Sequence, residues 1–342
     1  MKATHLIVFR FSAFGDVAMS LPVLRCLFQQ YPNIKVTLVT RPWMAPLFEE
    51  FPQLTLLPLE PQSTHKGVGG IYRLFQTIKL LKPDGIADLH GVLRTHLLRV
   101  FFFFSFIPFK QVYKGRREKK RLTRAKNKVF QPLTPSIYRY ADVFRRLGYP
   151  IDLEQHEFPP KPLLPEVFTS LFSNPQHQWI GIAPFASFEG KTYPLDLMQK
   201  VVAHLQKEQQ VILFGAGEKE KTLMEVWEKA LPNVYSMAGK HTLAEELALI
   251  AHLDLMLSMD SANAHLAANY GVEVVTLWGL THPFAGFAAW GQPENNHLCV
   301  DRSQYPLIPT SVYGNKTPAG YEKAFRSMSP KEVIEKVLDR LA

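Results

Sequence analysis

The feature that most constrains this chain is an alternation that runs twice. "HLIVFR" (5–10), "KVTLVT" (35–40), "LTLLPL" (54–59) and "GIADLH" (85–90) read as strands. Between them Leu21, Leu24 and Phe28 keep helical spacing, and 70–82 reads as a helix. Residues 149–165 hold five prolines and little periodicity, and read as a linker. Beyond it the rhythm restarts, with strands at 179–185, 210–215, 234–239, 253–259 and 272–279 and helices at 194–207, 219–230, 243–252 and 261–270. Strands that are apolar on both faces and separated by helices require a parallel sheet covered on both sides. The expected fold class is therefore α/β, with two Rossmann-like domains whose ligands bind at the carboxyl ends of the strands, in the cleft between them.

The expected boundaries are 1–160 for the first domain and 161–325 for the second. A separate helix over 326–342 is signalled by Ser329 as cap, Pro330 at the first position and Glu332 closing a capping box. It is expected to pack back on the first domain.

Composition narrows the function classes. Cys26 and Cys299 are the only cysteines, too few for a disulfide framework, so a reducing, cytoplasmic setting is expected. The N-terminus lacks the sustained apolar segment of a signal peptide. The most apolar stretch, 97–109, is interrupted by Arg99 and is shorter than the roughly 20 residues a spanning helix needs. It reads first as a buried helix of the core, with contact to lipid as the second reading.

The net charge of +9 is concentrated. Residues 110–126 carry nine Lys/Arg against one Glu, so the rest of the chain is close to neutral. Such a block attracts polyanions. No zinc-finger spacing or aromatic RNA-binding motif accompanies it, so nucleic acid is not the expected partner. An anionic membrane surface or a phosphorylated lipid head group fits, as does a plain solvated loop.

Five turns could carry chemistry. In "LDLMLSMDSANAHLAANYG" a strand ends at Asp260, and Ser261, Ala262 and Asn263 open a helix that carries His265 in its first turn or so. Small residues there let an anion approach free backbone N–H groups. "APFASFEGKTYP" likewise follows a strand and places Ser187, Lys191 and Thr192 before a helix. Glu218 and Glu220 in "FGAGEKE" could each meet ribose hydroxyls, and either could be an ordinary first-turn acid. In the first half, "RFSAFGDVAMSLP" puts Asp16 at a helix start, where it is either a helix cap or a base able to take a proton from a hydroxyl. Asp88, His90 and Arg94 in "ADLHGVLRTHLLR" are plausible acceptor contacts. No His, Cys or Asp cluster points to a metal.

Taken together these turns resemble glycosyltransferase family 9, the heptosyltransferase type. "FRFSAFGDVAMSLPVLRCL" is similar to that family's Gly-Asp opening and "IADLHGVLRTHLL" to its Asp-Leu-x-Gly-x-x-Arg segment. "GIAPFAS", "GKTYPLDLMQKVVAHL" and "VILFGAGEKE" resemble the start of its donor domain, and residues 238–283 are the most specific match. The resemblance implies a fold of the glycosyltransferase B type and an inverting, metal-independent transfer, typically of heptose from ADP-heptose to a lipopolysaccharide inner core. It assigns Asp16 as base, Lys191 with Ser187 and Thr192 to the donor phosphate loop, and Asp260, Ser261 and His265 to a second phosphate turn. Glu218 or Glu220 would contact ribose, and backbone groups around Lys240 and His241 would meet the base. No cofactor is implied beyond the nucleotide-sugar donor.

Members usually carry Gly where this chain has Ala262, which adds a methyl and resists positive φ. The aromatic and basic insertion over 101–126 implies a distinctive acceptor. Lys119, Lys120 and Arg121 are expected to help dock phosphorylated lipid or core sugar, with peripheral contact through 97–126 at the inner face of the inner membrane. The alternatives are a non-catalytic nucleotide- or polyanion-binding relative and, against the missing glycine fingerprint, a dinucleotide-dependent oxidoreductase or epimerase.

Overall fold

A computed structural model describes residues 4–171, 174 and 176–342. The chain forms two compact units, Met1–Lys114 with Thr134–Glu157, and Gly115–Leu133 with Phe158–Ala342.

The first unit is built on five parallel strands, β1 (His5–Phe9), β2 (Lys35–Thr40), β3 (Leu54–Pro58), β4 (Gly85–Asp88) and β5 (Phe109–Gln111), in the order β3-β2-β1-β4-β5. Its connections are helical: α1 (Phe14–Ala18), α2 (Leu21–Gln30), α3 (Gly67–Leu80) and α4 (Leu93–Phe101). Ile7 and Phe9 of β1 and Ile86 of β4 meet Leu74 and Ile78 of α3 and Leu98 of α4 in one apolar cluster. Each such side chain removed from water stabilises the unit by about 1.5–3 kcal/mol before entropy is counted.

The chain then leaves this unit. Helix α5 (Arg116–Thr123), which carries the basic block, belongs to the second unit, and α6 (Ser136–Arg145) returns to the first. The single boundary expected near residue 160 is thus replaced by three crossings. Leu122 is the buried residue of α5, and Lys119 lies 4.2 Å from the Phe287 ring, so an apolar foot fastens the charged helix to the second unit. Periodicity did not reveal this, because lysine and arginine dominate the pattern.

Helices α7 (Glu166–Leu171), α8 (Leu195–Leu205), α9 (Glu218–Ala230), α10 (Leu243–Ile250), α11 (Ala262–Ala268) and α12 (Pro330–Leu341) complete the second unit. They surround β6 (Trp179–Ala183), β7 (Gln210–Leu213), β8 (Val234–Ser236), β9 (Leu255–Met259), β10 (Glu273–Trp278) and β11 (His297–Cys299). The strand order is β11-β10-β9-β6-β7-β8, and the described pairings are parallel. Val333 and Val337 of α12 are fully buried in the same core as Ile182, Leu257 and Trp227. The final helix is therefore part of the second unit and not a separate segment. Its cap is as read: Ser329 N donates to Glu332 Oε2 at 2.6 Å and Glu332 N to Ser329 Oγ at 3.3 Å.

Both sheets share one logic. The first strand of each unit lies inside, with later strands added on either side. That order creates a switch point between β1 and β4 in the first unit and between β6 and β9 in the second. Loops leaving the carboxyl ends of such strand pairs diverge and leave room for a ligand.

Candidate active site

In the first unit the two switch-point loops carry Asp16 and His90. Arg10 follows β1 directly and is buried. Its Nη1 donates to Leu89 O at 2.7 Å, its Nη2 meets Asp16 Oδ2 at 2.5 Å, and its guanidinium sits 5.5 Å from the centre of the Tyr140 ring. Asp16 is the third residue of α1, and the same Oδ2 accepts from Ala13 N at 3.4 Å. Among the described residues nothing donates to Asp16 Oδ1, and the side chain is 30% exposed against 6% for Arg10. One carboxylate oxygen is thus fixed from behind and the other faces outward.

Asp88 does something else. It is fully buried, its Oδ1 accepts from His90 N and Gly91 N at 2.9 Å each, and its Oδ2 accepts from Gln111 Nε2 at 2.6 Å. These bonds consume the carboxylate in shaping the turn after β4, which removes it from the acceptor contacts. His90 Nδ1 accepts from Phe11 N at 3.4 Å, so the neutral ring carries its proton on Nε2. Burial, and then the fields of Arg10, Lys114, Arg94 and Arg41, push its pKa down to about 3. Arg94 is half-buried in the first turn of α4, and its Nε has no hydrogen-bond partner among the described residues. The arrangement is a single outward carboxylate oxygen in a field of cations, suited to an anionic substrate bearing a hydroxyl.

In the second unit the switch-point loops carry Lys191 and Asp260, and the fold joins them. Lys191 Nζ lies 2.8 Å from Asp260 Oδ2, which also accepts from Thr281 Oγ1 at 3.0 Å. Asp260 is the more buried partner, 5% exposed against 15% for Lys191. The carboxylate therefore positions the ammonium and is not itself an anion ligand, a refinement of its expected phosphate role. An ammonium has three donors, so this ion pair leaves Lys191 two to offer.

Beside it, Ser261 begins α11 with extended backbone and no capping bond from its side chain; its Oγ lies 3.0 Å from Ser258 Oγ. The first N–H groups of α11 are thus left without a side-chain cap. Ala262 is the first residue of that helix, so its place requires no positive φ, and only its methyl distinguishes it from glycine. His265 is the fourth, and is buried.

Ser187 is exposed in the loop after β6, and Thr192 N closes the short turn Glu189–Lys191 by donating to Glu189 O at 2.9 Å. The structure separates the two glutamates. Glu220 Oε2 accepts from Ala216 N at 2.8 Å and braces its own loop, whereas Glu218, first in α9, is exposed. Lys240 Nζ is bound to both Glu228 oxygens, at 2.6 and 2.7 Å, and His241 Nε2 lies 2.8 Å from Tyr235 Oη. These side chains are committed, and so is Lys240 N, which donates to Met237 O at 3.1 Å. Among the described residues no three His, Cys, Asp or Glu side chains gather as a metal site.

Sequence reasoning missed three contributors. Arg10 is a strand-end residue with no motif of its own, and Thr281 joins Asp260 only through the β9–β10 pairing. The third is a junction of glycines. A Cβ on Gly190 would stand 2.4 Å from Gly314 O, one on Gly279 would stand 2.6 Å from Gly190 O, and one on Gly314 would meet Lys191 Cγ at 2.6 Å. Three backbones thus close around the base of Lys191. The one available signal was the glycine in "FEGKTYP", because its partners lie far away in sequence.

Residues 71–310 match the family model described as glycosyltransferase family 9 (heptosyltransferase). The chain is 22% identical over 333 residues to lipooligosaccharide heptosyltransferase 2 of Campylobacter jejuni, covering 94% of this chain and 95% of that one. A family 9 glycosyl transferase from Veillonella parvula superposes with a TM-score of 0.75 at 17% identity, covering 100% and 98% of the two chains. The ADP-heptose lipopolysaccharide heptosyltransferase II of Escherichia coli superposes with a TM-score of 0.68 at 18% identity, covering 99% and 98%.

Proposed function

Since the chain belongs to glycosyltransferase family 9, we propose that it moves heptose from ADP-heptose to a phosphorylated inner-core glycolipid of lipopolysaccharide. The transfer inverts the anomeric carbon and needs no metal ion. The supporting observation is the pair of switch points, each setting an aspartate against a cation, with the carboxylate outward in the first unit and the ammonium outward in the second.

Each role follows from which charge is presented. Asp16 Oδ1 accepts the proton of the acceptor hydroxyl as that oxygen attacks the anomeric carbon from the face opposite the diphosphate. The bond from the anomeric carbon to the diphosphate oxygen breaks, and ADP departs with the bonding pair. Lys191, His265 and the uncapped N–H groups of α11 offset the charge that grows on the leaving diphosphate. Ser187 and Thr192 supply hydroxyls to the same group, Glu218 accepts from the ribose, and the backbone at Lys240 and His241 faces the adenine. The cations around His90 attract the phosphorylated acceptor.

Calorimetry of the purified protein against ADP, UDP, GDP and CDP, then ADP-heptose, tests this reading. The expected result is preference for ADP, unchanged by EDTA. Preference for another nucleotide would overturn the heptose donor, and loss of binding or turnover in EDTA would overturn the metal-free step.

A further inference from the structure

Helix α4 has two apolar faces. Thr95, Leu98 and Phe102 point into the first unit's core and are buried. At 100° per residue the opposite side of the helix is formed by Leu93 and Val100, 85% and 64% exposed. The stripe continues into the turn Phe103–Ser105 and Phe106, where the three phenylalanines are 75%, 82% and 95% exposed. This corrects the first reading of 97–109, a buried helix of the core: half of its phenylalanines are turned outward.

The display is built and not frayed. Ser105 Oγ donates to Phe102 O at 2.6 Å and accepts from Ile107 N at 3.4 Å, which ties the turn. Behind it the Phe75 and Phe102 rings meet edge to face at 4.8 Å. Phe106 is held at φ +57°, a left-handed conformation a bulky side chain rarely takes without a reason. Single exposed apolar residues need no explanation, but a contiguous aromatic ridge does.

Charge selects the occupant. The exposed charges of helices α3 and α4 are Arg73, Lys79 and Arg99, and neither helix contains an acidic residue. Of the two acids between the helices, Asp88 is buried and Asp84 accepts from His5 N at 2.8 Å. A second copy of the chain would oppose like charges across this face. An anionic lipid surface complements both properties, because aromatic rings enter the interfacial zone while lysine and arginine stay at the head groups. No helix among the described residues is long and apolar enough to cross a membrane, so contact would lie in the plane of the surface.

We propose that the outward face of α4, with the phenylalanine turn that follows it, seats the protein on an anionic phospholipid leaflet. The basic helix α5 belongs to the other unit, and the contact proposed is that of α4 and its turn. This inference stands apart from donor chemistry and is read without any turnover.

The full chain is to be sedimented with vesicles of phosphatidylethanolamine and phosphatidylglycerol, and with vesicles of phosphatidylcholine alone. It is expected to bind the first in preference. Combined Phe103→Ser, Phe104→Ser and Phe106→Ser should weaken vesicle binding about tenfold or more, with circular dichroism and ADP affinity unchanged. Leu93→Ser, on the same stripe but outside the turn, should weaken it less and serves if the triple variant fails to fold. Arg99→Glu should reduce binding to anionic vesicles selectively. The proposal is overturned if the parent ignores anionic vesicles or the serine variants bind as the parent does. Binding that requires glycolipid in the vesicle would overturn it too, as would a parent dimer that the same substitutions dissociate in velocity sedimentation.

Discussion

The turn after β1 and the paired turns after β6 and β9 set an aspartate against a cation in opposite order. In the first, a buried arginine stands behind an aspartate that faces outward; in the second, a buried aspartate stands behind a lysine that faces outward. Both occupy switch points of parallel sheets with related strand order. The difference shows that an Asp–cation pair has no fixed meaning in such a turn. Burial decides which member is presented outward, and under the proposed function that sets whether the turn removes a proton or receives a phosphate.

The largest expected effect breaks the first half of this comparison. Asp16→Asn keeps the Arg10 contact geometry but removes the basic oxygen, and turnover should fall by about 10³-fold with ADP affinity unchanged. Unaltered turnover in a steady-state assay would remove Asp16 from the chemistry. Next comes the second half. Lys191→Met should weaken ADP binding by about 2–3 kcal/mol, read by calorimetry, since it deletes the outward charge and strands Asp260. Asp260→Asn should cost less affinity than Lys191→Met, because the ammonium remains; equal or greater loss would mean that the buried partner contacts the donor itself.

Smaller effects test the supports. Gly190→Ala places a methyl against the Gly314 carbonyl, and the melting midpoint should reflect a loss of about 1–3 kcal/mol together with weaker ADP binding. The smallest is a pH effect in the first unit. His90 is held neutral in the fold, with its pKa near 3 against 6.5 for an ordinary histidine. Below pH 6.5 the unfolded chain takes a proton that the folded chain refuses, so stability falls as pH falls through that window. In urea titrations at pH 7 and pH 5 the loss should be smaller for His90→Asn than for the parent by about 1–2 kcal/mol, the share that His90 contributes.

Much of this was legible because it is local. Strands β1, β2, β6, β7 and β9 announce themselves by apolar runs, and the α12 cap lies within four residues. Asp16 and Lys191 are visible as a carboxylate and an ammonium just after strands. What was not legible is whatever depends on partners distant in sequence. Asp88 looked like a ligand until its oxygens were seen to be taken by two backbone amides and Gln111. The choice between Glu218 and Glu220 rests on one hydrogen bond to Ala216. The direction of Phe103, Phe104 and Phe106 is set by a turn that composition does not encode.

The three crossings of the chain bear on how this enzyme could be taken apart or recombined. A fragment ending at Lys114 lacks α6, whose Tyr140 lies against Arg10, and one ending near residue 157 carries Gly115–Leu133 without the body it packs on. Such a fragment would leave Leu122 and Phe130, which belong against the second unit, exposed to water. A chimera that exchanges donor halves between relatives must therefore move two stretches of gene, since a single junction sets Gly115–Leu133 of one parent against the body of the other.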